Sequence, residues 1–274
     1  MAETLSRGPV TGTAVKAPAK KKPFVLDLYS TAVGKKYVMA ITGLIGIGFV
    51  ITHMIGNLKL YLGVVTEGDE LIYDIDVYGE FLRDLLVPIL PRTITLWLLR
   101  LVLIGALLLH LHAAYGLTVI SRKARAVKYQ SKRDYQVASF ASRSMRWTGI
   151  IVALFIVFHL ADLTWGATGA DWVRGDVYYN VDQSLSRIPV AIFYIIANLA
   201  LGVHLFHGTW SLVQSMGWNN PRFTAWRRYA AVGVAGIIVA GNVSFPIATM
   251  AGVIDYDPTV TSVHELHSSG EEAE

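Results

Sequence analysis

Five long runs of apolar residues, separated by short polar stretches, dominate the pattern of the 274-residue chain. They cover roughly residues 37–59, 94–121, 147–166, 188–214 and 229–250, and no internal repeat is apparent among them. A membrane-spanning helix needs about 20 mostly apolar residues, and each run reaches that length. The pattern therefore predicts an all-α integral membrane protein, a bundle of five transmembrane helices.

Polar segments flank this predicted transmembrane domain, which covers residues 28–250. Residues 1–27 are rich in Lys, Ala and Pro, and we expect a disordered basic arm there. Residues 251–274 carry six carboxylates and are expected to form an acidic tail. The first apolar run begins too far along the chain for a cleavable signal peptide.

The charged residues predict the orientation of the bundle. Of the 24 basic residues, 18 lie in residues 1–36, 122–146 and 222–228, whereas the acidic residues concentrate in the intervening loops and the tail. The positive-inside rule then places the N-terminus in the cytoplasm and the C-terminus outside, in a bacterial cytoplasmic membrane. The net charge of +4 therefore reflects the orientation of the chain in the membrane. We expect membrane lipids to surround the bundle, and we expect no nucleic-acid binding.

The composition excludes several classes of protein. Hydrophobic residues make up 53% of the chain and charged residues 16%, which argues against an ordinary soluble enzyme and against a disordered chain. The chain has no cysteine, so it cannot supply a thiolate nucleophile or hold an iron–sulfur cluster alone.

Histidine is the polar residue that stands out inside the apolar runs. Six of the eight histidines lie there, in four successive runs: His53, then His110 and His112, then His159, then His204 and His207. A single intramembrane histidine is best explained by a hydrogen bond between helices. Histidines from four successive spans indicate metal or haem ligation, because two imidazoles on facing helices can hold a haem in a bundle core.

Depth along the helices predicts how these histidines pair. At ~1.5 Å per residue, His53 and His159 lie ~25 and ~20 Å from the cytoplasmic ends of their runs. His112 and His204 lie ~15 and ~21 Å from theirs. We therefore expect an outer pair, His53 with His159, and an inner pair, His112 with His204.

Three more side chains are candidates for the same sites. His110 lies about 200° from His112 around the helix, whereas His207 shares a face with His204. We expect His110, His207 and Arg100 to act as second ligands or as partners of a haem propionate. The simpler role for Arg100 is an ion pair with Asp162.

The motifs around these histidines resemble a known family. The stretch STAVGKKYVMAITGLIGIGFVITHMIGNL, residues 30–58, resembles the first span of the cytochrome b membrane-anchor subunit of succinate dehydrogenase, respiratory complex II. The later motifs HAAYG (112–116), FH (158–159) and HGTWSLVQS (207–215) resemble those of the following spans. The resemblance covers roughly residues 28–250, and the family's single-chain anchors also have five spans.

The resemblance implies bis-histidine ligation of two haem b groups, at His53, His112, His159 and His204. It implies a flavoprotein subunit and an iron–sulfur subunit docked on the cytoplasmic face, and electron transfer from them to a lipid quinone. The chain would be a subunit of succinate:quinone oxidoreductase that has no catalytic activity by itself.

Polar groups near the cytoplasmic ends of the spans are candidates for binding the quinone. A quinone needs donors to its two carbonyls and an apolar slot for its ring. The candidates at the start of the first span and the end of the fourth are Ser30, Lys35, Lys36, Trp210, Ser211 and Gln214. Lysine and tryptophan also anchor helices at membrane boundaries, which is the competing explanation.

Three alternative functions remain open from the sequence. The first is a haem-free structural anchor of the same complex, in which the histidines only join helices. The second is an anchor holding a Rieske-type [2Fe–2S] cluster, with the cysteines supplied by a partner chain. The third, a transporter with a histidine proton relay, lacks support from a broken helix or an inverted repeat.

Overall fold

A computed structural model describes residues 23–124, 140–217, 220 and 224–262 of the chain. Eight α-helices are present in these residues: α1 Phe24–Ser30, α2 Ala32–Asn57, α3 Asp74–Arg83, α4 Ile94–Lys123, α5 Phe140–His159, α6 Val177–Leu185, α7 Ile188–Ser215 and α8 Thr224–Met250. A 3₁₀ turn, Leu58–Tyr61, extends α2, and a π-helical turn, Leu160–Thr164, extends α5. Strands β1 Val64–Glu67 and β2 Glu70–Tyr73 form an antiparallel hairpin.

The five predicted membrane spans are confirmed. In the part of the chain that the structure describes, five helical segments are long and apolar enough to cross a membrane: Ala32–Tyr61, Ile94–Lys123, Ser144–Thr164, Ile188–Ser215 and Thr224–Met250. Most of their large apolar side chains are exposed, as expected for a surface that faces lipid. The protein is therefore a helical membrane bundle, with the small hairpin as an addition that the apolar pattern did not predict.

The helices pack with α7 against both α5 and α8, and with α2 against α4. Small residues allow two of these close approaches. A Cβ atom on Gly202 would lie 2.3 Å from the Val239 side chain, and one on Gly241 would lie 2.3 Å from the sulfur of Met54. Because a Cβ cannot occupy either position without a shift, glycine sets the spacing between α7 and α8 and between α2 and α8.

The bundle has two distinct ends. We call the end that carries α1 the α1 end, and the opposite one the hairpin end. Helix α1 includes residues 24–27, so the expectation of disorder in residues 1–27 is wrong for these four residues; residues 1–22 lie outside the described part. The basic loop 125–139 and the tail residues 263–274 also lie outside it.

A compact cap covers the hairpin end. The hairpin, α3, α6 and the first residues after α8 share an apolar core in which Tyr73 stacks on Tyr178 with ring centroids 3.7 Å apart. Ile254 is 1% exposed, and the backbone N–H of Thr261 donates to the carbonyl of Leu71 at 3.0 Å. The first part of the expected acidic tail is therefore packed on the cap.

A buried carboxylate joins two helices of this cap. Asp76 on α3 accepts hydrogen bonds from the backbone N–H groups of Val177 and Tyr178, the first residues of α6. Such a contact satisfies helix donors that have no partner within the helix. Burial raises the pKa of the Asp76 carboxyl to about 7, although these hydrogen bonds act in the opposite direction.

Asp76 is expected to make the stability of the cap depend on pH. Between the ordinary pKa of 3.8 and the raised value of about 7, the unfolded chain loses a proton that the folded chain keeps. Stability from this group therefore falls as pH rises through that window. Thermal unfolding of the detergent-solubilised protein between pH 4 and 8 should show a shallower decline for Asp76→Asn than for the wild type.

The control for this measurement is Asp69→Asn, an exposed carboxylate in the hairpin turn. It should leave the pH dependence unchanged. Equal pH profiles for the wild type and Asp76→Asn would contradict the assignment of this titration to Asp76.

Candidate haem-binding site

Four histidines from four spans form two facing pairs. His53 on α2 and His159 at the end of α5 have ring centroids 5.9 Å apart and an interplanar angle of 82°. His110 on α4 and His204 on α7 have ring centroids 6.4 Å apart and an angle of 63°. The first pair lies nearer the hairpin end and the second nearer the α1 end, so we call them the hairpin-end pair and the α1-end pair.

The separations within both pairs fit two imidazoles that share one metal ion. Metal–imidazole bonds of about 2 Å place the two ligating nitrogens about 4 Å apart and the ring centroids about 6 Å apart. Within the described residues, no three or more His, Cys, Asp or Glu side chains converge on one point. Each pair therefore offers two imidazoles, and no further His, Cys, Asp or Glu side chain among the described residues converges on it.

Open space lies on the face of α2 that carries His53. Gly46 precedes His53 by two helical turns on the same face, and a Cβ built there would meet no atom within 4 Å. His53 itself is exposed, and the other three paired histidines are only partly buried. Close helix packing does not explain Gly46, whereas a flat macrocycle beside the pairs would occupy this kind of space.

The expected pairing of His112 with His204 is wrong, since His110 faces His204. His112 points about 200° away around α4, where its Nδ1 is hydrogen-bonded to the hydroxyl of Tyr29 on α1. Depth places both residues close to the level of His204, so depth alone could not decide between them. The direction in which each side chain leaves α4 decides between His110 and His112.

Threonine hydroxyls orient both rings of the α1-end pair. Thr42 Oγ1 lies 3.0 Å from His110 Nδ1, and Thr148 Oγ1 lies 3.4 Å from His204 Nδ1. Each hydroxyl donates its proton to a carbonyl of its own helix, so its oxygen is left to accept from the ring N–H. This tautomer leaves Nε2 with a lone pair for a metal.

The two halves of the bundle repeat this arrangement, so the expectation of no internal repeat is wrong. The pattern Thr-Gly-x₅-Phe-x₃-His occurs in residues 42–53 and again in residues 148–159. In both copies the Phe packs on the His, with ring centroids 5.3 Å apart for Phe49 and His53 and 5.6 Å for Phe155 and His159. Recognising this repeat would have identified Thr42 and Thr148 from the sequence.

The repeated glycines make room for histidines of the neighbouring helices. A Cβ on Gly43 would lie 3.6 Å from the His110 ring, and one on Gly149 would lie 3.3 Å from the His204 ring. Each Thr-Gly pair therefore positions one imidazole of the α1-end pair, by a hydrogen bond on one side and by contact on the other.

A buried polar network supports His159. Its Nδ1 lies 3.3 Å from the hydroxyl oxygen of Tyr194, which donates to Asp162 at 2.9 Å. Arg187 pairs with the same carboxylate at 2.7 Å. Two hydroxyls complete its set of donors, those of Thr168 and Ser184.

Arg100 and His207 lie outside both pairs. Arg100 is exposed, with its guanidinium 5.0 Å from the centre of the Trp97 ring. The ion pair expected between Arg100 and Asp162 is wrong, because Arg187 takes that position. Arg187 is the last loop residue before α7, a place that a search restricted to the apolar runs does not examine. His207 is partly buried one turn beyond His204.

The quinone candidates at the start of α2 form one cluster at the α1 end. Lys35 is 9% exposed, donates to the carbonyl of Tyr29 at 2.7 Å, and has its stem where a Cβ on Gly116 would be. Ser30 donates to the carbonyl of Asp27 and is exposed, as is Lys36. Lys35 therefore ties α1 to α2 and α4, beside the Tyr29–His112 contact.

The candidates at the end of α7 lie in a second cluster. The guanidinium of Arg227 on α8 lies 5.4 Å from the centre of the Trp210 ring. Ser211 donates to the carbonyl of Gly208 at 3.1 Å, and Gln214 is exposed. Tyr29 and His112, which belong to the first cluster, were not among the sequence candidates for a quinone site.

Comparison with known proteins supports the family that the motifs resemble. Residues 120–243 match the family model described as succinate dehydrogenase/fumarate reductase transmembrane subunit. The matched stretch includes α5 and α7, with His159 and His204. No curated protein and no solved structure matches the chain. The matched stretch covers less than half of the chain, so the match shows a likeness to this transmembrane subunit in the second half of the bundle.

Proposed function

We propose that this chain is the membrane anchor and quinone-reactive subunit of a succinate dehydrogenase, with haem b at both histidine pairs. The observation that carries the proposal is the separation of the facing imidazoles, which suits a shared metal at both sites. The family match in the second half of the bundle supports the same complex. A bacterial cytoplasmic membrane is the proposed location.

Haem b, when bound, would supply reversible one-electron chemistry. His53 and His159 would hold one group, and His110 and His204 would hold the other. The hydroxyls of Thr42 and Thr148 hold the second pair in the ligating tautomer, and the surrounding apolar side chains keep water away. The chain itself has no proposed role in succinate oxidation, which belongs to a flavoprotein and an iron–sulfur subunit.

These partner subunits are proposed to dock at the α1 end, on the cytoplasmic side. The basic residues of the arm and of the loop after α4 favour that orientation. The quinone headgroup is proposed to bind at the same end, near Ser30 and the Tyr29–His112 contact. The Tyr29 phenol, the His112 imidazole and the Ser30 hydroxyl could donate to two carbonyl oxygens once the quinone replaces their present partners.

The first test of this proposal separates His110 from His112. His110→Ala or His204→Ala should remove one low-spin b haem, and His53→Ala or His159→Ala should remove the other. His112→Ala is the matched control, two residues from a ligand, and should retain both haems. Reduced-minus-oxidised optical spectra with a pyridine haemochrome assay of the purified complex measure these contents.

Loss of a haem in His112→Ala, with both retained in His110→Ala, would contradict the pairing. A wild-type complex without haem would support a structural anchor instead. An electron paramagnetic resonance signal of a Rieske-type cluster would support the cluster-holding alternative.

The second test concerns the quinone. His112→Ala should lower succinate–quinone turnover by about tenfold or more, because a hydrogen bond to a developing charge contributes about 1.5–3 kcal/mol. Succinate oxidation by a soluble dye should stay unchanged, since electrons reach the dye before the quinone. Gln214→Ala, in the other cluster, is the control, and a selective loss of quinone turnover there would move the site to α7.

The third test concerns orientation. An alkaline phosphatase fusion after Glu274 should be active in a bacterial host, and one after residue 130 should be inactive, because phosphatase folds only outside the cytoplasm. The opposite pattern would reverse the bundle and place the α1 end outside.

A further inference from the structure

His159 differs from the histidines of the α1-end pair in the group to which the hydroxyl bonded to its Nδ1 donates. At His110 and His204 the accepting hydroxyls give their protons to backbone carbonyls of their own helices. At His159 the accepting oxygen belongs to Tyr194, and its proton goes to the carboxylate of Asp162 at 2.9 Å. Of His110, His159 and His204, only His159 is therefore connected to a carboxylate through a single bridging hydroxyl.

The carboxylate at the end of this chain of hydrogen bonds is held firmly. Asp162 is 2% exposed and accepts from Thr168, Ser184, Tyr194 and Arg187. A carboxylate has about four acceptor positions, so these four donors satisfy it. Its partner Arg187 has 29% of its side chain exposed and offsets the negative charge. The ion pair between Asp162 and Arg187 offsets the free-energy cost of burying a charge within a membrane-spanning segment.

The local backbone places Asp162 for this contact. It lies in the π-helical turn Leu160–Thr164, directly after the α-helix that ends at His159. Insertions of this kind in a helix change the direction of the following side chains and are frequent at functional sites. The turn directs Asp162 toward Tyr194 on α7, which also holds the ring of His159.

We propose that Tyr194 and Asp162 are positioning residues that lower the redox potential of the centre held by His53 and His159. This inference rests on the proposed haem at that pair. An imidazole that donates its N–H to an oxygen acceptor becomes a more basic ligand. A more basic ligand stabilises the oxidised metal, so the potential of this centre is lower than it would be without Tyr194.

The effect acts through the hydrogen bond and not through net charge. Tyr194→Phe removes one oxygen atom and leaves Asp162 paired with Arg187. It also leaves His159 in place, since the ring of Phe155 still packs on it. The variant therefore separates the hydrogen bond from the ion pair and from ligation.

Redox potentiometry of the α-band in the whole complex tests the proposal. In Tyr194→Phe the potential of one haem should rise by an amount equal to about a tenfold change in its oxidised-to-reduced ratio, which is 59 mV for one electron. The potential of the other haem and the haem content should stay at wild-type values. Tyr115→Phe, which removes a phenol that is 71% exposed on α4, is the control and should shift neither potential.

Electron paramagnetic resonance of the oxidised haems provides a second measurement. The g values of the shifted haem should change in Tyr194→Phe, because the ring of His159 loses the contact that fixes its orientation. Thr148→Val should change the signal of the other haem instead.

The outcomes distinguish this inference from the function on which it rests. Two haems with unchanged potentials in Tyr194→Phe would overturn the inference and leave the proposed function intact. Loss of the haem from Tyr194→Phe would also overturn it, because Tyr194 would then be required for binding. A wild-type complex without haem would overturn the proposed function and the inference together.

Discussion

The need to satisfy imidazole nitrogens inside an apolar bundle is the constraint on which the rest of this structure depends. A polar group in the hydrocarbon region has no water to bind, so it must find a partner within the protein. The α1-end pair meets this need with the hydroxyls of Thr42 and Thr148 at Nδ1. The hairpin-end pair uses Tyr194 at His159. The paired rings face each other across the bundle, with centroids 5.9 Å apart at the hairpin-end pair and 6.4 Å apart at the α1-end pair.

These contacts explain why the helices are arranged as they are. Each Thr-Gly pair contacts a histidine from the following span, so α2 must lie against α4, and α5 against α7. Tyr194 further joins α7 to the π-helical turn after α5 through Asp162. The polar contacts and the helix packing therefore support the same neighbours, which is the consistency expected of a specific fold.

The sequence predicted the spans well because length and hydropathy determine them. It predicted the pairing of His53 with His159 from depth, since both residues lie near the same end of the bundle. It paired His112 with His204, whereas His110 faces His204 in the structure, because depth does not report which face of α4 enters the bundle. Arg187 and the hairpin were missed because they lie in loops, where no apolar pattern marks the chain. Asp162 was seen, but its partner depends on how a loop folds back onto α7.

The most direct test of the account is the position of iron in the assembled complex. Anomalous diffraction at the iron edge, or a cryo-electron microscopy map that resolves the ligands, would locate any metal in the bundle. The account predicts two irons, one between His53 and His159 and one between His110 and His204. Iron bound to His112, or continuous side-chain contact between the facing histidines with no metal, would contradict it.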